Sequence, residues 1–100
     1  MDNFNVNLTI KDICCNRCCR CVNERTITLT DSSTILTLQD GFSLRIISVS
    51  STRVIFEIRK SFIRFIRFGY INIPTNICLP CSDCCQEHIL VTTINSIVSN

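Results

Sequence analysis

The sequence predicts an all-β fold, a single jelly-roll-like β-sandwich of seven to eight short antiparallel strands, and three observations predict it. First, β-branched residues dominate: 16 isoleucines, ten threonines and six valines stand in 100 residues that contain no alanine. Such side chains lose rotamer freedom in a helix and pack well on a pleated surface. Second, apolar and polar residues alternate with period two in several segments, the mark of half-buried strands. Third, turn residues recur roughly every eight to twelve positions, the spacing of sandwiches and barrels.

Each element follows in order. Phe4, Val6, Leu8 and Ile10 alternate with Asn3, Asn5, Asn7, Thr9 and Lys11, a first strand with one face buried. It either pairs within its own sandwich or serves as an arm added to a neighbour's sheet edge. Thr26 to Thr30 form a second strand, closed by Asp31-Ser32-Ser33, and Ile35 to Leu38 a third, closed by Gln39-Asp40-Gly41. Asp-Gly is a strong hairpin signal because both residues tolerate positive φ. Phe42, Leu44 and Ile46 share a face before the apolar phase slips to Ile47 and Val49, which predicts a β-bulge. Val54, Phe56 and Ile58 continue as another strand. The run Phe62 to Phe68 repeats every three residues, so two short strands with a bend near Ile66 are expected, the second reaching Ile73. Pro74 and Pro80 bracket a loop carrying the second cysteine cluster, and Ile89 to Ile94, with Val98 as an outer bound, form the last strand.

One hundred residues suit one domain, 1–100, with a modest core. Charged residues are only 18% and the net charge is +2, too little to imply a polyanionic partner. A surface this poor in charge is expected to be covered partly by copies of the same chain. Met1 to Leu8 carry no basic and apolar leader pattern, and no apolar stretch approaches membrane-spanning length, so neither secretory signal nor membrane contact is expected.

The nine cysteines fall into two clusters: Cys14, Cys15, Cys18, Cys19 and Cys21, then Cys78, Cys81, Cys84 and Cys85. Adjacent Cα atoms lie about 3.8 Å apart, whereas an unstrained disulfide spans roughly 4.4–6.8 Å. Cys14 and Cys15, Cys18 and Cys19, and Cys84 and Cys85 are therefore expected to bond elsewhere than to each other. An odd total leaves a thiol for an intermolecular bond. The reading is of reactive sulfur at opposite ends of a compact body, stitching separate copies together, with residues 1–25 as an intersubunit connector.

Other chemistries weigh less. Cys15, Cys18 and Cys21, like Cys78, Cys81 and Cys84, have C-x2-C-x2-C spacing, so a structural zinc on Cys15, Cys18, Cys78 and Cys81 is the alternative to disulfides. No other cofactor is expected. Arg17, Arg20 and Arg25 would favour thiolate in the first cluster, making it the attacker, while Asp83 and Glu87 mark the second as acceptor. His88, near Cys84 and Cys85, reads as a surface histidine at a strand start rather than half of a Cys–His catalytic pair. No glycine-rich phosphate loop or paired-acid site is present, and the chain is not expected to be an enzyme. Arg59, Lys60, Arg64 and Arg67 interleave with Phe62, Phe65, Phe68 and Tyr70, a pattern that stacks on single-stranded RNA in other proteins. Here it reads as the outer face of a strand covered by another subunit, and nucleic acid is not expected as a partner.

Double cysteines before a cysteine-free β body, with further cysteines to receive them, resemble the endospore-appendage subunits of spore-forming Firmicutes. The matching residues are Cys14-Cys15 and Cys18-Cys19 as donors and Cys78 to Cys85 as acceptors. The resemblance implies a jelly-roll protomer that polymerises with copies of itself into a disulfide-locked filament or layer on the spore surface, with an anchoring spore-surface protein as a further partner. It also implies synthesis without a signal peptide and oxidation on release. The alternative is a cytoplasmic, zinc-stabilised β module binding single-stranded RNA.

Overall fold

The structure is a computed structural model and describes residues 4–16, 19–80 and 86–99. Among these residues eight strands form two four-stranded antiparallel sheets that face each other as a β-sandwich: β1 (Phe4–Cys15), β2 (Arg20–Leu29), β3 (Leu36–Thr37), β4 (Ser43–Val49), β5 (Arg53–Lys60), β6 (Ile63–Tyr70), β7 (Thr75–Leu79) and β8 (Glu87–Ser99). The first sheet runs β2-β1-β8-β7 and the second β3-β4-β5-β6. Of the pairings a jelly roll wraps inward from its two ends, β1 with β8 and β4 with β5 are present. β2 and β7 are instead the edges of the first sheet, and β3 and β6 those of the second. Apart from β1 with β8, every hydrogen-bonded neighbour is also the next strand in sequence, so the connectivity is a meander closed by its own ends.

Alternation builds the core. Phe4, Val6, Leu8 and Ile10 of β1 are buried, as are Leu90 and Ile94 of β8, and they meet Leu44, Ile46, Val54, Phe56 and Ile58 from the opposite sheet. Burying side chains of this kind contributes about 1.5–3 kcal/mol each. The phase slip after Ile46 is the expected bulge, since pairing with β5 shifts between Ile46 and Ser48. Asp40 and Gly41 take φ of 60° and 77°, and the chain reverses there so that Thr37 pairs with Ser43. A second bulge lies in β8 beside Asn7 and Leu8, where the Asn95 amide donates to Asn7 Oδ1 at 2.8 Å and Thr9 Oγ1 at 3.0 Å.

Several expectations change. Of the two roles open to the first strand, it takes the one within its own sandwich: β1 pairs with β8 from Phe4 to Cys15 and with β2 from Val6 to Cys15. β2 begins at Arg20 rather than Thr26, so the mostly exposed, charge-bearing stretch from Arg20 to Arg25 is paired strand and Cys14 faces Cys21 across the ladder. The segment expected as two short strands is one strand, β6, paired with β5 from Arg53↔Tyr70 to Lys60↔Ile63. Its three-residue repeat is compatible with an unbroken strand because β6 is an edge. Arg67 stands opposite buried Phe56 yet still reaches solvent, with its guanidinium carbon 5.1 Å from the Phe65 ring centroid. The chain leaves the ladder at Tyr70, and Asn72 turns it with φ of 61°.

Candidate functional site

Sulfur gathers at one end of the first sheet. Because β1 and β8 are antiparallel, the end of β1 lies beside the start of β8: Cys14 is opposite His88 and Cys15 opposite Glu87. β2 places Cys21 on the other side of Cys14, and β7 places Cys78 opposite Ile89. The Gln86 amide donates to the Cys15 carbonyl at 2.6 Å, and the Asn16 amide to the Cys19 carbonyl at 3.0 Å. The residues flanking both cysteine segments therefore stand together, which corrects the expectation of sulfur at opposite ends of the body. The cause is the pairing of the first strand with the last, which no local pattern announces. Cys18, Cys81, Cys84 and Cys85 lie outside the described residues, as do Arg17 and Asp83.

Cys15, Cys19, Cys21 and Cys78 are free thiols, and all but the half-buried Cys15 are exposed. Cys21 and Cys78 sit on the two edge strands of the sheet, one residue level apart along the ladder. Cys19 and Cys21 bring their Sγ atoms to 3.9 Å, and the Cys19 amide and thiol both donate to Asn16 Oδ1, at 2.9 and 3.5 Å. The Cys21 thiol is pushed above its ordinary pKa, first by its hydrogen bond with Cys19, then by repulsion from Cys19, slight burial and Cys15. Neighbouring sulfur thus outweighs the arginines expected to favour thiolate there. Arg25 is turned away, its guanidinium donating to the Thr37 carbonyl.

Of the four cysteines of the zinc alternative, Cys15 and Cys78 are among the described residues. Cys15 is on β1 and Cys78 on β7, with β8 between them. Two strand spacings separate the backbones by about 9–10 Å, and both side chains project from the sheet face opposite the core rather than towards each other. Among the described residues no three His, Cys, Asp or Glu side chains are grouped to hold a metal ion.

Beneath the sulfur lies a buried polar cluster. His88 is only 1% exposed and Asp12 2%, and His88 Nε2 lies 2.5 Å from Asp12 Oδ1. The surface assignment of His88 is therefore wrong. The histidine shares the inward phase of Leu90, Thr92 and Ile94, and its ring meets Phe42 edge-on at 5.4 Å. Asp12 Oδ2 accepts the Gln39 amide at 2.6 Å, while Gln39 Nε2 donates to the carbonyls of Asp12 at 2.7 Å and Cys21 at 3.2 Å. Gln39 thereby ties the turn before β4 to the cysteine-bearing hairpin. Asp12 extends the inward alternation of Phe4 to Ile10, and a charge in that phase was the signal that sequence reading passed over.

On the second sheet the cations are largely engaged within the chain. Glu57 accepts from Arg45 Nε at 3.0 Å and Arg64 Nε at 2.6 Å, and Arg53 lies over the Phe68 ring at 5.2 Å. These two arginines hold the Glu57 carboxyl down to about 2. Ile66, Phe68 and Tyr70 remain exposed on the outer face of edge strand β6, and Phe62 is exposed at the turn before it. No helix among the described residues is long and apolar enough to cross a membrane. No known family model, curated protein or solved structure matches the chain.

Proposed function

We propose that this chain is a structural protomer that self-assembles into a disulfide-cross-linked filament or surface layer, of the kind carried by bacterial endospores. The observation that supports it most is the placement of exposed free thiols on both edges of one sheet, Cys19 and Cys21 with β2 and Cys78 on β7, with Cys21 and Cys78 one residue level apart. Four antiparallel strands leave the two edges running in opposite directions. A second copy set beside the first by translation therefore offers its β2 antiparallel to β7, and the step repeats without limit. Strand addition supplies main-chain hydrogen bonds, and it brings Cys78 of one copy within one residue level of Cys21 of the next, Cys21 on the core side of the joined sheet and Cys78 on its outer side. Cross-links then run along one rim of the assembly rather than from pole to pole. The exposed apolar side of β6 offers a second surface for neighbouring copies.

The test mixes 14N- and 15N-labelled chains, reduced and then air-oxidised, with electrophoresis and mass spectrometry performed without reductant. Mixed-isotope peptides joining Cys78 to Cys19 or Cys21, in material too large to be a monomer, are expected. Recovery of nothing but an 11.4 kDa species with all its sulfur bonds inside one chain would end this reading.

A further inference from the structure

We infer that Cys19 and Cys21 form a chelating dithiol that takes a thiophilic metal or metalloid ion through both sulfurs of one hairpin. Two thiolates on one tetrahedral zinc, each about 2.3 Å from it, stand about 3.8 Å apart. The Sγ atoms of Cys19 and Cys21 stand 3.9 Å apart, both on exposed residues. Soft thiolate ligands select ions of this class over hard cations.

The local structure preorganises the pair. Asn16 receives both the amide and the thiol of Cys19 on its side-chain oxygen, at 2.9 and 3.5 Å, and its own amide closes the turn on the Cys19 carbonyl at 3.0 Å. Cys21 is held from the other direction, by backbone pairing with Cys14 and by Gln39 on its carbonyl. Chelation removes the Cys19 thiol proton and with it the 3.5 Å bond to Asn16, but the amide bonds that fix the turn remain, so neither sulfur has to travel far and little ordering cost is added. Two sulfurs alone leave a zinc ion half-coordinated, with its other positions open to water or to a second copy. A trivalent arsenical needs only the pair. In that reaction each thiol gives up its proton, two As–S bonds form, and the arsenical oxygen leaves with both protons as water. Neither sulfur nor arsenic changes oxidation state.

This inference concerns the reduced chain and stands or falls separately from assembly by oxidation. The experiment treats the full-length reduced chain with one equivalent of phenylarsine oxide, quenches excess reagent with a monothiol, and maps the product with trypsin. Arg20 lies between the two cysteines, so a bridged pair is recovered as peptide 18–20 joined through arsenic to peptide 21–25. That species is expected to survive glutathione and to be released by 2,3-dimercaptopropanol. Cys19→Ser and Cys21→Ser, both exposed positions, are each expected to abolish it while circular dichroism stays that of the parent. A second arm adds Zn(II) to the reduced chain and expects the same two sulfurs to be protected from iodoacetamide. Arsenic bridging peptide 18–20 to 21–25 undiminished in Cys19→Ser, or bridging found only elsewhere in the chain, overturns the inference. So does equal alkylation of Cys19 and Cys21 with and without zinc, if the arsenical bridge is also missing.

Discussion

Asp12 and His88 are 76 residues apart in sequence, yet they form the tightest buried polar contact at the sulfur-bearing end of the sandwich, 2.5 Å from carboxylate to ring nitrogen. The contact joins the two strands that close the first sheet, and Gln39 extends it to the second. Removing one member of such a pair strands the other in a low-dielectric interior, which costs more than the pair itself contributes.

Asp12→Ala is therefore expected to lose roughly 3–5 kcal/mol of stability. Asp12→Asn, which keeps an acceptor for the Gln39 amide, should lose less. Urea denaturation in reducing buffer measures both, and equal midpoints for Asp12→Ala and the parent would contradict the assignment.

Gly69 is required by its neighbour rather than by its backbone angle. A Cβ there would sit 2.6 Å from Phe56 Cε2 and 2.8 Å from its Cζ. Gly69→Ala should cost roughly 1–3 kcal/mol by overpacking, and adding Phe56→Leu should recover part of that loss. Additive losses in the double variant would show that the two residues do not meet.

Glu57 gives the fold an acid limit. Its carboxyl, ordinarily near 4.5, is held down to about 2 by Arg45 and Arg64. The folded value lies below the unfolded one, so the stabilisation is complete above about pH 4.5 and is lost as pH falls towards 2. Glu57→Gln should be less stable than the parent at neutral pH, and the difference should shrink across that window. Parallel denaturation curves from pH 7 to 2 provide the check.

The outer face of β6 separates folding from association. Ile66→Lys replaces an exposed side chain and should change stability by about 0.5 kcal/mol or less, whereas Phe68→Lys also removes the ring beneath Arg53 and should cost about 0.5–1 kcal/mol more. Both should reduce assembly if neighbouring copies cover this face. Light scattering of oxidised samples, read beside thermal melts, distinguishes the two effects.

Local pattern carried the elements further than their arrangement. The alternation from Phe4 to Ile10, the phase slip after Ile46 and the Asp40-Gly41 reversal are each properties of a few consecutive residues, and each is present as expected. The cysteine-bearing hairpin is illegible locally because Arg20, Asn23 and Glu24 are polar and every residue from Arg20 to Glu24 is exposed, as an edge strand beyond the core allows. His88 was misread because its burial depends on Asp12, and that partner appears only once β1 is laid beside β8. The same pairing brings the cysteine segments together. Register between the first and last strands is decided by the packing of a whole sheet, so no window of neighbouring residues contains it.

That closure also orders events in time. The second sheet is a run of hairpins between near neighbours, whereas Val6 must wait for Ile97 before its strand is flanked on both sides. Contacts between distant chain positions carry a larger loop entropy and form slowly. On a ribosome β1 would emerge long before β8 exists, leaving its cysteines beside β2 alone until synthesis is almost finished. Pulsed hydrogen exchange during refolding should accordingly protect amides of β4 and β5 ahead of those that bind β1 to β8.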